Sequence, residues 1–177
     1  GYAEVLKKTR QRFSSIFSYA ISRGLIEENP AYFLKDVFVK TKKSKHHPQL
    51  PLEQLPELLQ KLENDKGYPI TKLCTAFALH TFVRSSEFRF ARWSEFDLQK
   101  GIWTIPGERE FIPGQKFSNR GAKMKLNHLI PLSPQVINIL KEIHPFSGMT
   151  KNVFPKNGDP QGFISESTIN KTLRRIG

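Results

Sequence analysis

The stretch "TFVRSSEFRFARW", residues 81–93, decides how this chain is read. It continues an apolar run, "LCTAFALHTF" (73–82), whose density of large apolar side chains predicts a buried helix. A second amphipathic segment then runs to about residue 92, just before Trp93. Arg84 stands at the junction, with Glu87 three residues on. One reading of Arg84 is an ion-paired residue at a helix end. The other is a guanidinium held by two packed helices, whose planar fork matches a phosphate in two-point contact. If Ser85 or Ser86 caps the second helix, Glu87 falls on the same side as Arg84 and can orient it. On these residues alone the plain ion pair is the commoner outcome.

Upstream, the core helix is expected over about 70–82, with Ile70, Leu73, Cys74, Phe77, Ala78 and Phe82 inward. Before it, residues 52–63 place Leu52, Leu55, Leu58, Leu59 and Leu62 on one side of a helix, with Pro56 tolerable only near its first turn. Residues 39–51, "VKTKKSKHHPQLP", break the pattern with four lysines, two histidines and two prolines. This is a linker, and its lysines fit a strap lying along phosphates better than a bare solvated hinge. A helix over 3–23 carries Phe13, Ile16, Phe17, Ala20 and Ile21 as one apolar stripe. Gly24 ends it as a left-handed cap, and Asn29 with Pro30 starts a further short helix.

Downstream, "IWTI" (102–105) reads as a strand and "GEREFIPGQKFSNRG" (107–121) as a long, turn-rich excursion. "AKMK" and "HLIPL" read as two more strands around a tight turn near Leu126 and Asn127. A helix capped by Ser133 with Pro134 at its first position follows, then a turn at "NVFP" and a last helix from about Ser165. The fold class is α+β and mostly helical: a small antiparallel three-stranded sheet packed with helices, preceded by a separate group of N-terminal helices.

Charge is the strongest global signal. The chain of 177 residues has 28 Lys and Arg against 16 Asp and Glu, a formal net charge of +12. The excess sits in the first 50 residues and the last 77, while 51–100 are neutral. A polyanionic partner follows, and nucleic acid is the commonest one. No apolar run has transmembrane length and no signal-peptide pattern stands at the N-terminus, so the expected place is the cytoplasm, without membrane contact. The single cysteine, Cys74, rules out an intrachain disulfide and a cysteine-based metal cluster.

Few residues offer chemistry. Lys123 stands just before the expected hairpin turn, where an ammonium can reach a ligand or serve as a general acid; taken alone, a lysine blunting an edge strand is the better reading. His80 reads as a packed core residue, and His46 and His47 belong to the linker. His128 and His144 lack partners at metal-ligand spacing. No glycine-rich phosphate loop, Ser–His–Asp order or paired carboxylate stands out, and no metal or cofactor is expected.

In combination, "VRSSEFRFARWSEFDLQKGIWTIP", "KMKLNHLIPLS" and "VFP", in that order, resemble the tyrosine recombinase (phage integrase) family, and within it the integrases of satellite phages and genomic islands. That family shows an arginine, two variable residues, a glutamate and then a tryptophan, matched here by Arg84, Glu87 and Trp93. A lysine follows eight residues before the proline of a "PLS" element, matched by Lys123 and Pro131 to Ser133. The excursion and "RGLIEENPA" also look like family members, so the resemblance covers essentially the whole chain.

The resemblance implies residues 1–38 as the C-terminal helices of a core-binding domain, 39–51 as the basic interdomain linker, and 52–177 as the N-terminal part of a catalytic domain. It implies a site-specific recombinase of a mobile genetic element, bacterial and working on double-stranded DNA at attachment sites, assembled there as a tetramer. In such enzymes a tyrosine attacks the scissile phosphate and arginines neutralise the phosphorane, while a lysine protonates the leaving 5′ oxygen. Carried over, Arg84 is the first arginine, Lys123 the general acid and Glu87 the support of Arg84. Lys42, Lys43, Lys45, Lys116, Arg120 and Lys125 are expected on DNA phosphates.

The family's HxxR box and nucleophilic tyrosine have no match, because Tyr2, Tyr19, Tyr32 and Tyr68 all precede the sheet. The expectation is a fragment that does not cleave DNA and is monomeric in solution. A non-catalytic DNA-binding module or regulator is the alternative, and general RNA or anion binding a third.

Overall fold

The structure is a computed structural model that describes residues 2–34 and 49–177. The chain forms two compact units, Gly1–Gln49 and Leu50–Gly177. The linker segment with Lys42, Lys43 and Lys45 falls almost wholly outside the described residues.

In the first unit, helix α1 runs Tyr2–Ser22. It ends as its sequence predicts: Gly24 adopts φ +68°, its N–H donates to the Ile21 carbonyl, and the Leu25 N–H donates to the Ala20 carbonyl. That pair of bonds satisfies carbonyls a helix end leaves open. The expected apolar stripe is not buried: Phe13 and Ile16 are at least half exposed. Asn29 does not cap a helix. Its amide donates to the Ser14 carbonyl and to Ser18 Oγ, while its Oδ1 accepts from the Ala31 N–H two residues on. An asparagine can satisfy its own next turn in this way, and that use wins here.

In the second unit, a single 3₁₀ turn (Leu52–Gln54) leads into α2 (Leu55–Glu63), followed by α3 (Pro69–Thr81) and the short α4 (Ser85–Arg89). A further 3₁₀ turn (Trp93–Glu95) opens the sheet of β1 (Phe96–Asp97), β2 (Ile102–Ile105) and β3 (His128–Pro131). Then come α5 (Pro134–Ser147), β4 (Pro155–Lys156), β5 (Asp159–Phe163) and α6 (Thr168–Ile176). The strand order is β1-β2-β3, antiparallel throughout, with Trp103 opposite both Phe96 and Ile130. β4 and β5 form a separate two-stranded hairpin where the sequence pattern predicts only a turn.

The helical α+β class stands, with corrections inside it. "AKMK" is not a strand; the third strand of the sheet is Phe96–Asp97 instead. Residues 122–125 close a turn, the Lys125 N–H donating to the Ala122 carbonyl, and Lys125 takes φ +56°, outside the β region of a regular strand. The second helix of the opening stretch ends at Arg89 rather than about residue 92, since the Ala91 N–H already bonds Phe88 in a turn. Phe82 is not core: it terminates α3 in the left-handed region at φ +51°, which turns its ring out to 87% exposure. Leu52 falls in the 3₁₀ turn before α2 and is exposed, and Leu59 is exposed because α2 buries only Leu62 fully.

The core is aromatic, as the 14 phenylalanines suggest. α3 packs against both α5 and α6. Phe77 sits fully buried, with ring centroids 5.2 Å from Phe154 and 5.5 Å from Trp103. Phe96 stacks on Trp103 at 5.0 Å, which locks β1 to β2 through side chains where only two residue pairs join the strands.

Candidate functional site: a basic cleft

α4 has one task in this fold, which is to begin at Arg84. Arg84 is its N-cap, in extended conformation, and neither Ser85 nor Ser86 takes that role. The Arg84 carbonyl accepts the Glu87 N–H at 2.8 Å, and Glu87 Oε2 accepts the Arg84 N–H at 2.9 Å. Two otherwise open backbone groups are thereby closed reciprocally. Glu87 Oε1 also accepts from Arg84 Nη1 at 3.3 Å. The Glu87 side chain is 2% exposed and that of Arg84 is 59% exposed. The carboxylate is therefore fixed inside the core surface, and the guanidinium stands above it, facing out.

The cleft in front of Arg84 has a volume of about 480 Å³ and is walled by the excursion between β2 and β3. Arg84, Arg120, Lys123 and Lys125 all line it, with Ser86 and Asn119 beside them and Glu108 as the opposing carboxylate. A second recess of about 380 Å³ also opens on Arg84, Glu87 and Lys123, and adds Asn127 and His128. Arg84 and Lys123, remote in sequence, thus share both hollows. Lys116 lines neither and is exposed on the excursion. Among the described residues no group of three or more His, Cys, Asp or Glu is placed to hold a metal ion.

The neck of the excursion explains how the lysines reach the cleft. The Ala122 N–H donates to the Pro106 carbonyl at 2.8 Å, and the Gly107 N–H to Asn127 Oδ1 at 3.2 Å. Such crossing needs glycines. A Cβ on Gly121 would stand 2.0 Å from the Pro106 carbonyl oxygen, and one on Gly107 would stand 2.2 Å from that of Lys125. With the neck closed, the 122–125 turn projects Lys123 from a fixed base rather than from a strand edge. Arg120 is steadied separately, its guanidinium 4.0 Å over the Phe117 ring.

Beneath the cleft lies a buried ion pair that no local sequence pattern predicts. Arg109, 4% exposed, donates through Nε to Glu95 Oε1 at 2.6 Å and through Nη2 to Glu95 Oε2 at 2.8 Å. Trp103 Nε1 donates to the same Oε2 at 2.9 Å. Arg109 also donates to two backbone carbonyls, Arg120 at 2.6 Å and Glu87 at 3.1 Å. Carbonyls carry no residue-type signature, so nothing in the sequence marked this arginine off from the other basic residues of the excursion.

The remaining tyrosine of the second unit, Tyr68, lines a different recess with Arg89 and Lys156. A cleft lined by four cations, one of them a half-exposed guanidinium on a buried carboxylate, is built to receive an anion with more than one oxygen.

Comparison with known proteins is consistent with that geometry. The family model described as the phage integrase family matches residues 48–177. The putative protein IntB of Escherichia coli (strain K12) is 44% identical over 177 residues, covering 100% of this chain and 44% of that protein. The integrase of Enterobacteria phage P4 is 40% identical over the same 177 residues, which are 40% of its length. The chain therefore spans less than half the length of these curated relatives.

Among solved structures, the Tn1549 transposon integrase in complex with a circular intermediate DNA superposes with a TM-score of 0.75, at 14% identity over 98% of this chain and 57% of that one. A lambda integrase tetramer bound to a Holliday junction gives 0.65, at 17% identity over 99% of this chain and 47% of that one. At such identities the likeness is one of fold.

Proposed function

Because the chain belongs to the phage integrase family, we propose that it is part of a site-specific DNA recombinase of a mobile element and that the basic cleft receives the scissile phosphate. The observation that carries this reading is the meeting of Arg84 and Lys123 in one cleft, above a buried Glu87. Arg84 offers its planar fork to the non-bridging oxygens, where negative charge grows in the transition state. Glu87 holds that fork in place, so no side-chain reorganisation is needed at the moment of reaction. Lys123, on its turn beside the same site, is positioned to give a proton to the departing 5′ oxygen. Arg120 and Lys125 line the same walls and take flanking phosphates. Lys116 and the linker residues Lys42, Lys43 and Lys45 extend the track along the duplex.

Strand cleavage by this route also needs a hydroxyl nucleophile. Tyr68 lines another recess, and the other three tyrosines belong to the first unit. We therefore expect the 177-residue chain to bind duplex DNA without cutting it, with the nucleophile supplied by a part of the parent protein that this chain does not include. That same placement of Tyr68 favours the second reading, a DNA-binding module without catalysis. Assembly as a tetramer on DNA and a bacterial cytoplasmic setting belong to the proposal; their support is the fold shared with lambda integrase, which has been solved as a tetramer on a Holliday junction.

The test has two arms. Binding of a labelled duplex should fall at least tenfold in Arg84→Ala and several-fold in Lys123→Ala, each keeping the parent's melting temperature; unchanged binding in both variants would refute the cleft as the phosphate site. A nicked suicide substrate should leave no covalent adduct on this chain, and an adduct at any tyrosine would refute the expectation of binding alone. In the full-length parent, Arg84→Ala should abolish cleavage, and retained cleavage there would refute the assignment of Arg84 to the scissile phosphate.

A further inference from the structure

We infer that Arg109 is a positioning residue for the cleft: its buried guanidinium fixes, through two backbone carbonyls, the helix that presents Arg84 and the excursion that presents Arg120. This rests on the DNA-binding reading of the cleft and adds to it a residue that does not touch the ligand.

The geometry is that of a hub. One fork of Arg109 is saturated by Glu95, whose side chain is 7% exposed and which is itself held by Trp103 of β2. Because Glu95 belongs to the 3₁₀ turn that opens the sheet, Arg109 is anchored to the rigid part of the unit. Its remaining donors reach outward in two directions. Nη2 holds the Glu87 carbonyl, within the helix whose carboxylate grips Arg84. Nη1 holds the Arg120 carbonyl, on the cleft wall. The backbone agrees, since the Arg109 N–H donates to the Asn119 carbonyl and Glu108 bridges Arg120 across the excursion. Arg92 adds an outer tie, donating to the Glu110 carbonyl.

Only an arginine meets this demand. A lysine at position 109 keeps the charge and can satisfy Glu95, but a single ammonium cannot reach a two-oxygen carboxylate and two carbonyls lying in different directions. Packing alone does not replace the tie, because the excursion tip exposes Phe111 and Phe117 rather than burying them. Without the tie, the two walls keep their charges and lose their relative placement.

The decisive measurement is the salt dependence of duplex binding by this chain, since net charge is equal in the parent and Arg109→Lys. Each phosphate contact contributes about 0.9 to the slope of log K against log salt. Arg109→Lys should lower that slope by about one to two units and lower affinity roughly tenfold at 0.1 M salt, as expected for one or two lost contacts. Hydrogen exchange of the amides in 107–122 should speed up in the same variant, while those of α3 and α5 stay protected.

Glu95→Gln with Arg109→Met replaces the buried pair by neutral residues of similar bulk, which restores packing but not the two carbonyl contacts. It should melt near the parent and still bind with the lowered slope. A parent-like slope in either folded variant would overturn the inference, and so would loss of folding in both, which would make Arg109 a stability residue of the whole unit. Failure of the parent itself to bind duplex would instead sink the function proposed above.

Discussion

The carboxylate of Glu87 takes a hydrogen bond from each end of Arg84: the backbone N–H at 2.9 Å on Oε2, and the guanidinium Nη1 at 3.3 Å on Oε1. One buried acid thereby both starts a helix and aims a cation. The two duties can be separated by substitution. Glu87→Ala removes both acceptors and leaves a cavity, so it should destabilise the unit by about 1.5–3 kcal/mol, the range for a lost bond to a charged group. Glu87→Gln keeps one carbonyl oxygen for the backbone N–H and turns an amide donor toward Arg84. It should cost less stability than the alanine and yet weaken duplex binding by a similar factor. Urea unfolding and fluorescence anisotropy on the same pair of variants decide it. Equal losses of stability, or a glutamine variant that binds like the parent, would contradict the division.

The aromatic centre offers a test of the fold itself. Phe77 is fully buried and meets Phe96, Trp103 and Phe154 at centroid distances of 5.2 to 6.3 Å. Phe77→Ala should cost about 3–5 kcal/mol, the usual range for truncating a core aromatic. Because Trp103 lies against it, the variant should also shift tryptophan emission to the red. A loss below 1 kcal/mol would mean that the helix does not pack on the sheet as described.

Much of this arrangement was legible in the sequence, and the exceptions share a cause. The core face of α3, the Gly24 end of α1 and the Ser133 cap, where Ser133 Oγ accepts the Val136 N–H at 3.3 Å, all follow from local rules. Pairing Arg84 with Lys123 needed the spacing of a known family, because the turn that carries Lys123 is closed by contacts from residues 106, 107 and 127. "AKMK" alternates like a strand but is held as a turn by those same contacts, so tertiary placement overrode the local pattern. Phe96–Asp97 is too short for any periodicity to register. Arg109 was invisible for a related reason: its partners lie 11, 14 and 22 residues away, and two of them are main-chain oxygens.

The end of α3 carries a correctable strain. Phe82 holds φ +51° as the helix terminator and is 87% exposed. A left-handed backbone costs an L-residue roughly 1 kcal/mol or more, and glycine avoids that cost. Nothing buried is lost on removing this ring. Phe82→Gly should therefore raise stability by about 0.5–1 kcal/mol, measured as a higher urea midpoint with unchanged slope. Phe82→Ala makes the control, since alanine keeps the strain. An alanine variant as stable as the glycine variant would show that the gain comes from removing the exposed ring.

The last helix is stapled to the loop after α2 by a two-point ion pair, Arg175 Nε to Asp65 Oδ1 at 3.0 Å and Arg175 Nη2 to Asp65 Oδ2 at 2.6 Å. Hydrogen bonds from Arg175 hold the Asp65 carboxyl below its usual range, against the opposing effect of burial. A carboxyl depressed on folding stabilises the native state above its unfolded value, near pH 4. That contribution is lost as pH falls through the lower, folded value. Arg175 is 47% exposed, so salt should weaken the pair further. Asp65→Asn should then be less stable than the parent at pH 7, and the gap should narrow below about pH 4 and with added salt. The Asp97 carboxyl is also depressed, chiefly by the Lys100 backbone N–H, but it is common to both proteins and cancels in the difference. Urea midpoints of the two proteins between neutral and acid pH make the measurement; a gap that holds constant or widens on acidification would rule out the staple as the source.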